Sequence, residues 1–228
     1  MTHSPEFDVV VRSAAKLQEL VPDMVLVGGS AAALHAEHRV SLDHDHVLHD
    51  LAERYAAVVD AVESSAGWAT SVRASHPPMT LMGSLDGVQA GIRQLRRTRP
   101  LETERYEIDE QTSVTVPTID EIFRIKAFLL VDRGAVRDFL DVAALADRVG
   151  LEHAASLLSD LDSYYAVRSD EEGLVSTQVA LALADPHPTD PAVLSELSSY
   201  KNLAPRWREW ESIVAVCKSL AVQMGKSS

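Results

Sequence analysis

The sequence predicts an α+β fold, with an α/β portion over 1–117 and an all-helical region over 118–228. Three observations carry this. Short apolar and β-branched runs, split by Pro77-Pro78, Gly83, Asp86-Gly87 and Pro100, fill residues 68–116; that texture belongs to several strands joined by turns. Helix-spaced apolar residues alternate with short extended runs before residue 66. Beyond Pro117-Thr118 the apolar spacing is helical, broken near Pro186–Pro191 and at Pro205.

In chain order, residues 8–20 place apolar side chains on one helical face, and Pro22-Asp23 ends that helix. Met24–Val27 is a short apolar run closed by Gly28-Gly29, which suits a buried strand. Ser30 before Ala31–His35 marks a helix start. Residues 41–48 read as extended and 49–65 as helical, and the strands of 68–116 read as a meander. Thr118-Ile119-Asp120-Glu121 has the form of a capping box, in which the two side chains close orphan amides at a helix start. Gly134 ends that helix, and a second runs over Val136–Val149.

Composition narrows the function classes. The 228 residues are 46% hydrophobic and 24% charged, with a formal charge of −13, which disfavours a passive nucleic-acid binder. One cysteine, Cys217, excludes an internal disulfide. The first residues show no basic-then-apolar leader, and no apolar run approaches a membrane span. A cytoplasmic protein with no membrane partner is the expectation.

Three motifs carry chemistry. Gly28-Gly29-Ser30 sits between a strand and a helix; glycine admits a ligand close to the backbone, and helix N-terminal amides attract phosphate. The plain alternative is a turn with Ser30 as N-cap. Asp43-His44-Asp45 follows 13 residues beyond Ser30. On a strand, both carboxylates face one way and repel unless a cation lies between them, and Mg²⁺ takes such oxygens together with phosphate. A solvated acidic turn is the alternative. Lys126, Arg133, Arg137, Asp138 and Asp141 form the third motif; spacings of 7, 11 and 15 from Lys126 approximate one stripe if the helices on either side of Gly134 are collinear. The alternative there is an Arg137–Asp141 surface pair at i,i+4.

Gly-Ser at a strand–helix turn followed by Asp-x-Asp on the next strand resembles the polymerase-β-like nucleotidyltransferases, which implies a mixed sheet. The stretches Gly28–His35, His38–Asp45 and Ile125–Val142 together are similar to the AbiEii/AbiGii-type nucleotidyltransferase toxins of bacterial toxin–antitoxin systems. The resemblance implies transfer of a nucleoside monophosphate from a nucleoside triphosphate to an acceptor hydroxyl, such as the tRNA 3′ end, with a cognate antitoxin as a partner. It implies Asp43 and Asp45 as ligands of Mg²⁺ (or Mn²⁺), and Gly28, Gly29 and Ser30 at the triphosphate. Lys126, with Arg133 and Arg137, would neutralise phosphate, and Asp141 would be a further acid.

Two departures stand out. Many polymerase-β-like enzymes carry a third carboxylate on a later strand, but here Ala90 and Gly91 occupy that place. Asp141 supplies the base, or Asp86 does, or the chain is catalytically weak. His44 and His46 flank the acids as extra ligands or bases, or as half-exposed strand residues. Arg93, Arg96, Arg97, Arg99 and Arg105 form a basic run that either steers RNA or keeps an edge strand soluble. Rival readings are a protein- or small-molecule-modifying nucleotidyltransferase, and a nucleotide-binding relic whose Trp207 and Trp210 serve an interaction surface.

Overall fold

The computed structural model of the chain describes residues 4–97, 99–165, 174–200 and 202–227; part of the expected helical tail, 166–173, lies outside them. The chain forms two compact units. The first takes the chain up to Ala33 and Val40–Thr118, and the second takes Leu34–Arg39 and the chain from Ile119 onward.

The first unit holds α1 (Pro5–Leu20), β1 (Val25–Val27), the start of α2 (Gly28–Ala36), β2 (Asp43–Leu48) and α3 (Leu51–Glu63). It continues through β3 (Trp68–Thr70), β4 (Thr80–Leu85), β5 (Val88–Gln94), β6 (Thr103–Glu107) and β7 (Ser113–Pro117). Ser4 caps α1 by accepting the Phe7 N–H at 3.3 Å, and Pro5 suits the first helical position. The apolar stripe Phe7, Val10, Val11, Ala14 and Leu17 is buried.

The main sheet is mixed. Its order is β1-β2-β5-β4-β3, with β2 and β5 parallel and the other neighbours antiparallel. The expected meander therefore divides. Strands β3 to β5 run up and down within this sheet, whereas β6 and β7 form a two-stranded ribbon of their own. Gln18 on α1 clasps β7, donating to the Thr115 carbonyl at 2.9 Å and accepting its N–H at 2.8 Å. Leu17, Leu48, Leu51, Leu81, Leu85 and Ile92 fill the core between sheet and helices.

The second unit is helical: α4 (Ile119–Asp132), α5 (Val136–Val149), α6 (Leu151–Ser159), α7 (Val175–Ala184) and α8 (Trp210–Ser227), with short 3₁₀ turns between them. Gly134 has φ +57 and donates its N–H to the Leu129 carbonyl at 2.9 Å, a glycine C-terminal stop. The chain reverses there. In one continuous helix, residues 15 apart would lie about 22 Å apart, yet Lys126 and Asp141 meet at 2.7 Å. The expected collinear stripe is thus replaced by two helices packed on each other. Trp207 is buried, and Trp210 packs edge-on against Phe139, with centroids 5.8 Å apart.

Candidate active site

Strand β2 separates two chemistries by alternation. His44, His46 and Leu48 point to the buried face, and Asp43 and Asp45 to the other. Asp43 is exposed and Asp45 half-buried. The Ser41 hydroxyl donates to Asp43 Oδ1 at 2.7 Å. The Ser30 hydroxyl donates to the Asp43 backbone carbonyl at 2.5 Å and is buried. In this arrangement Ser30 ties the first turn of α2 to the start of β2.

Glycine makes room for the second acid. Gly28 opens α2 with φ +71, and a Cβ there would lie 3.4 Å from both Cβ and Oδ2 of Asp45. Gly91 stands opposite Asp45 on β5, and a Cβ there would come within 2.4 Å of Asp45 Oδ1. No side chain fits at 91 while Asp45 keeps this position. The missing third acid on β5 thus has a steric counterpart: the strand is cut away to seat the carboxylate. Ala90 faces the core. On the same face as the acids, Arg93 brings Nε to 3.5 Å from Asp45 Oδ1.

Among the described residues, no group of three or more His, Cys, Asp or Glu side chains gathers as a metal cage. Two carboxylates side by side beside a helix N-terminus fit a hard cation of the Mg²⁺ kind, which takes one or two protein carboxylates and completes its shell with phosphate and water.

The histidines do not join this face. His44 Nε2 lies 3.0 Å from the Ser13 hydroxyl of α1, which donates onward to the Leu85 carbonyl at 3.3 Å. His46 is fully buried, meets His44 edge-on with centroids 5.3 Å apart, and has no hydrogen-bond partner on either ring nitrogen. Burial pushes His44 down to about 4 against the pull of Asp43, and pushes His46 well below its ordinary value, helped by His44. Both rings are neutral at pH 7 and turned toward the core. The half-exposed position expected for them is overridden by α1, which covers that face. Asp86 also turns to this side: at φ +51 in the β4–β5 turn, it pairs with Lys16 of α1 at 2.6 Å.

The helical unit has its own charged centre. Asp141 is fully buried, and its two oxygens receive four N–H groups. Oδ1 takes His38 Nε2 at 2.7 Å and Arg39 Nε at 2.9 Å; Oδ2 takes Arg39 Nη2 at 3.1 Å and Lys126 Nζ at 2.7 Å. That accounts for all of a carboxylate's roughly four acceptor positions. Burial alone would raise this carboxyl, but Arg39, Lys126 and His38 outweigh it and hold it well below the ordinary range. Burial lowers Lys126 and His38 against the pull of Asp141, so His38 acts as a neutral donor.

Arg133 forks onto buried Asp138 at 2.6 and 2.5 Å, and Asp138 also accepts the Ala135 N–H at 3.2 Å at the start of α5. Arg137 is exposed and Asp141 faces inward, so the i,i+4 surface pair does not form. In the basic run, Arg97 donates to the Arg99 and Pro100 carbonyls at 2.9 Å, Arg105 bonds Ser113, and Arg96 and Arg99 are exposed. His38 and Arg39 lie in the stretch that resembles the toxins, and no local pattern marks their role, because their partner, Asp141, stands over 100 residues away.

No protein-family model matches the chain. Among solved structures, MenT4, a nucleotidyltransferase toxin from Mycobacterium tuberculosis H37Rv, aligns over 96% of this chain and 82% of its own at TM-score 0.62 and 14% identity. JHP933 from Helicobacter pylori aligns over 99% of this chain and 94% of its own at TM-score 0.56 and 15% identity. The chain has a nucleotidyltransferase-like fold. In sequence, the chain is 27% identical over 241 residues to the heme uptake protein MmpL11 of Mycobacterium tuberculosis, a match covering 97% of this chain. The chain spans only 23% of the length of that relative. No described helix is long and apolar enough to cross a membrane.

Proposed function

We propose that this chain is a nucleotidyltransferase toxin of the AbiEii type. It transfers a nucleoside monophosphate from a nucleoside triphosphate, with Mg²⁺, to an RNA hydroxyl, the 3′ end of tRNA, and so blocks translation. A cognate antitoxin holds it in check in the cytoplasm. The observation that carries this reading is the Asp45 carboxylate seated between Gly28 and Gly91, beside Asp43 and at the start of α2.

The chemistry is an in-line exchange. The acceptor oxygen bonds to the α-phosphorus, the bond from that phosphorus to the bridging oxygen breaks, pyrophosphate leaves with the electron pair, and the hydroxyl proton passes to solvent. Such transfer asks a protein for positioning and charge neutralisation more than for covalent work. Bound Mg²⁺ would polarise the phosphate oxygens and stabilise the leaving pyrophosphate. Asp43 and Asp45 would hold the ion, with Ser41 orienting Asp43. The amides at Gly28–Ser30 would meet phosphate. We assign Lys126, Arg39 and Asp141 to the same reaction, with Asp141 a positioning residue that acts through the two cations, because its oxygens are saturated. Arg137, and Arg133 if it leaves Asp138, would add charge toward phosphate, and Arg96, Arg97 and Arg99 would steer the RNA.

The test is transfer of label from each [α-³²P]NTP to total RNA or to lysate protein. Asp43→Ala and Asp45→Ala are expected to raise the barrier by at least a few kcal/mol, a loss on the order of hundreds-fold in rate. Transfer by Asp45→Ala at the parent's rate overturns the proposal, and label in protein alone moves the acceptor class. The MmpL11 likeness favours a second reading, in which this fold is a domain working with a transport system. Membrane recruitment without nucleotide turnover would support that one.

A further inference from the structure

Strand β5 shows one face to the acids of β2. In the parallel register Asp43 faces Gln89, Asp45 faces Gly91 and Val47 faces Arg93, so Gln89, Gly91 and Arg93 share the face of Asp43 and Asp45. Position 91 is closed to any side chain by Asp45 Oδ1, and position 93 places a cation, not a further acid, on the same face. Arg93 Nε lies 3.5 Å from Asp45 Oδ1, and Nη2 rests 3.7 Å from Met82 Sδ. The arginine side chain is 48% exposed, which leaves the guanidinium room to turn. The face therefore holds two carboxylates and one fixed positive charge, a complement for one divalent ion.

We propose that Arg93 is a positioning and phosphate-binding residue of this site: it balances Asp45 while the metal is absent and turns to the nucleotide's phosphates once a metal ion takes the carboxylate. The inference rests on the nucleotidyltransferase reading above and deepens it. Electrostatics drives both halves. A divalent ion on Asp45 repels the guanidinium at close range, and the triphosphate that arrives with the ion presents planar pairs of oxygens that match the arginine fork. The second positive charge of a two-metal site is thereby supplied by the chain itself. The role differs from a general attraction of RNA, because it predicts opposite effects on two ligands.

Mn²⁺ binding to the full chain, followed by electron paramagnetic resonance without nucleotide, and binding of a non-hydrolysable NTP with Mn²⁺, followed by calorimetry, separate these outcomes. Arg93→Gln is expected to bind Mn²⁺ alone roughly two- to fivefold tighter, the scale of a half-exposed ion pair, and to bind the nucleotide about tenfold more weakly. Arg93→Lys restores part of the nucleotide affinity. Arg73→Gln removes the same charge from an exposed position of the first unit and changes neither. Unchanged Mn²⁺ and nucleotide affinities in Arg93→Gln, with reduced tRNA retention alone, overturn the inference and leave an RNA contact. Equal effects from Arg73→Gln overturn it in favour of bulk charge. Asp45→Asn tells the two levels apart. Wild-type Mn²⁺ binding lost in Asp45→Asn but unaltered in Arg93→Gln sinks the arginine role alone, whereas a wild type that binds no Mn²⁺ sinks the site reading with it.

Discussion

The Lys126 ammonium lies 2.7 Å from the Asp141 carboxylate, and the two side chains are 1% and 0% exposed. Removing one partner from such a pair leaves an uncompensated charge in a dry interior, which costs about 3–5 kcal/mol. Asp141→Asn is therefore expected to lose that amount in urea unfolding, because Lys126 and Arg39 lose their balancing charge and one of the two acceptor oxygens becomes an NH₂ donor. Lys126→Met should cost less, since Asp141 keeps Arg39 and His38. A loss below about 1 kcal/mol for Asp141→Asn would contradict this account. Because the folded carboxyl sits well below the ordinary range, its contribution is complete above about pH 4 and fades only as pH falls through the folded value.

Acid should weaken the first unit through its buried imidazoles. His44 is pushed down to about 4 and His46 lower still, so below about pH 6.5 the unfolded chain binds protons that the folded chain refuses. Stability is complete above that pH and falls as pH drops from 6.5 toward 4, by about 1.4 kcal/mol per unit for each ring. Urea midpoints at pH 7.5 and pH 5 measure the slope. His46→Leu, which deletes two partnerless ring nitrogens, should flatten it. An unchanged slope would place the titrating groups elsewhere.

Gly91→Ala tests the seat of Asp45. The added carbon would stand 2.4 Å from Oδ1, so the carboxylate must move. Displacement on this scale is expected to lower label transfer roughly 10- to 100-fold, with the urea midpoint little altered. Gly225→Ala, on α8 where an added Cβ meets nothing within 4 Å, is the neutral control. Full activity in Gly91→Ala would show that the slot is not needed.

Ser30→Ala separates two uses of one hydroxyl. Its bond to the Asp43 carbonyl predicts a stability loss of about 1 kcal/mol with an unaltered KM for the nucleotide. A raised KM with unchanged stability would instead give the hydroxyl to phosphate.

Local motifs were legible. Gly28-Gly29-Ser30 and Asp43-His44-Asp45 announce a corner and a two-faced strand because each needs only neighbours in sequence, and Val136–Val149 forms as its apolar spacing predicts. Long-range pairing was not. Gly91 reads as an absent acid until the β2–β5 register sets it against Asp45. The histidines read as half-exposed until α1 covers them. The stripe from Lys126 to Asp141 assumed a straight path through Gly134, and left-handed backbone there turns the chain back. His38 and Arg39 had no readable purpose because their acceptor arrives on a helix formed much later.

The six residues Leu34–Arg39 belong with the helices that follow Thr118. A gene truncated at that codon would thus carry His38 and Arg39 away from Asp141, while the remaining fragment kept a buried carboxylate stripped of three of its four N–H donors. Complementation from separately expressed halves should fail on that account, and dissection of this protein calls for circular permutation or grafting of the 34–39 segment, not a simple cut.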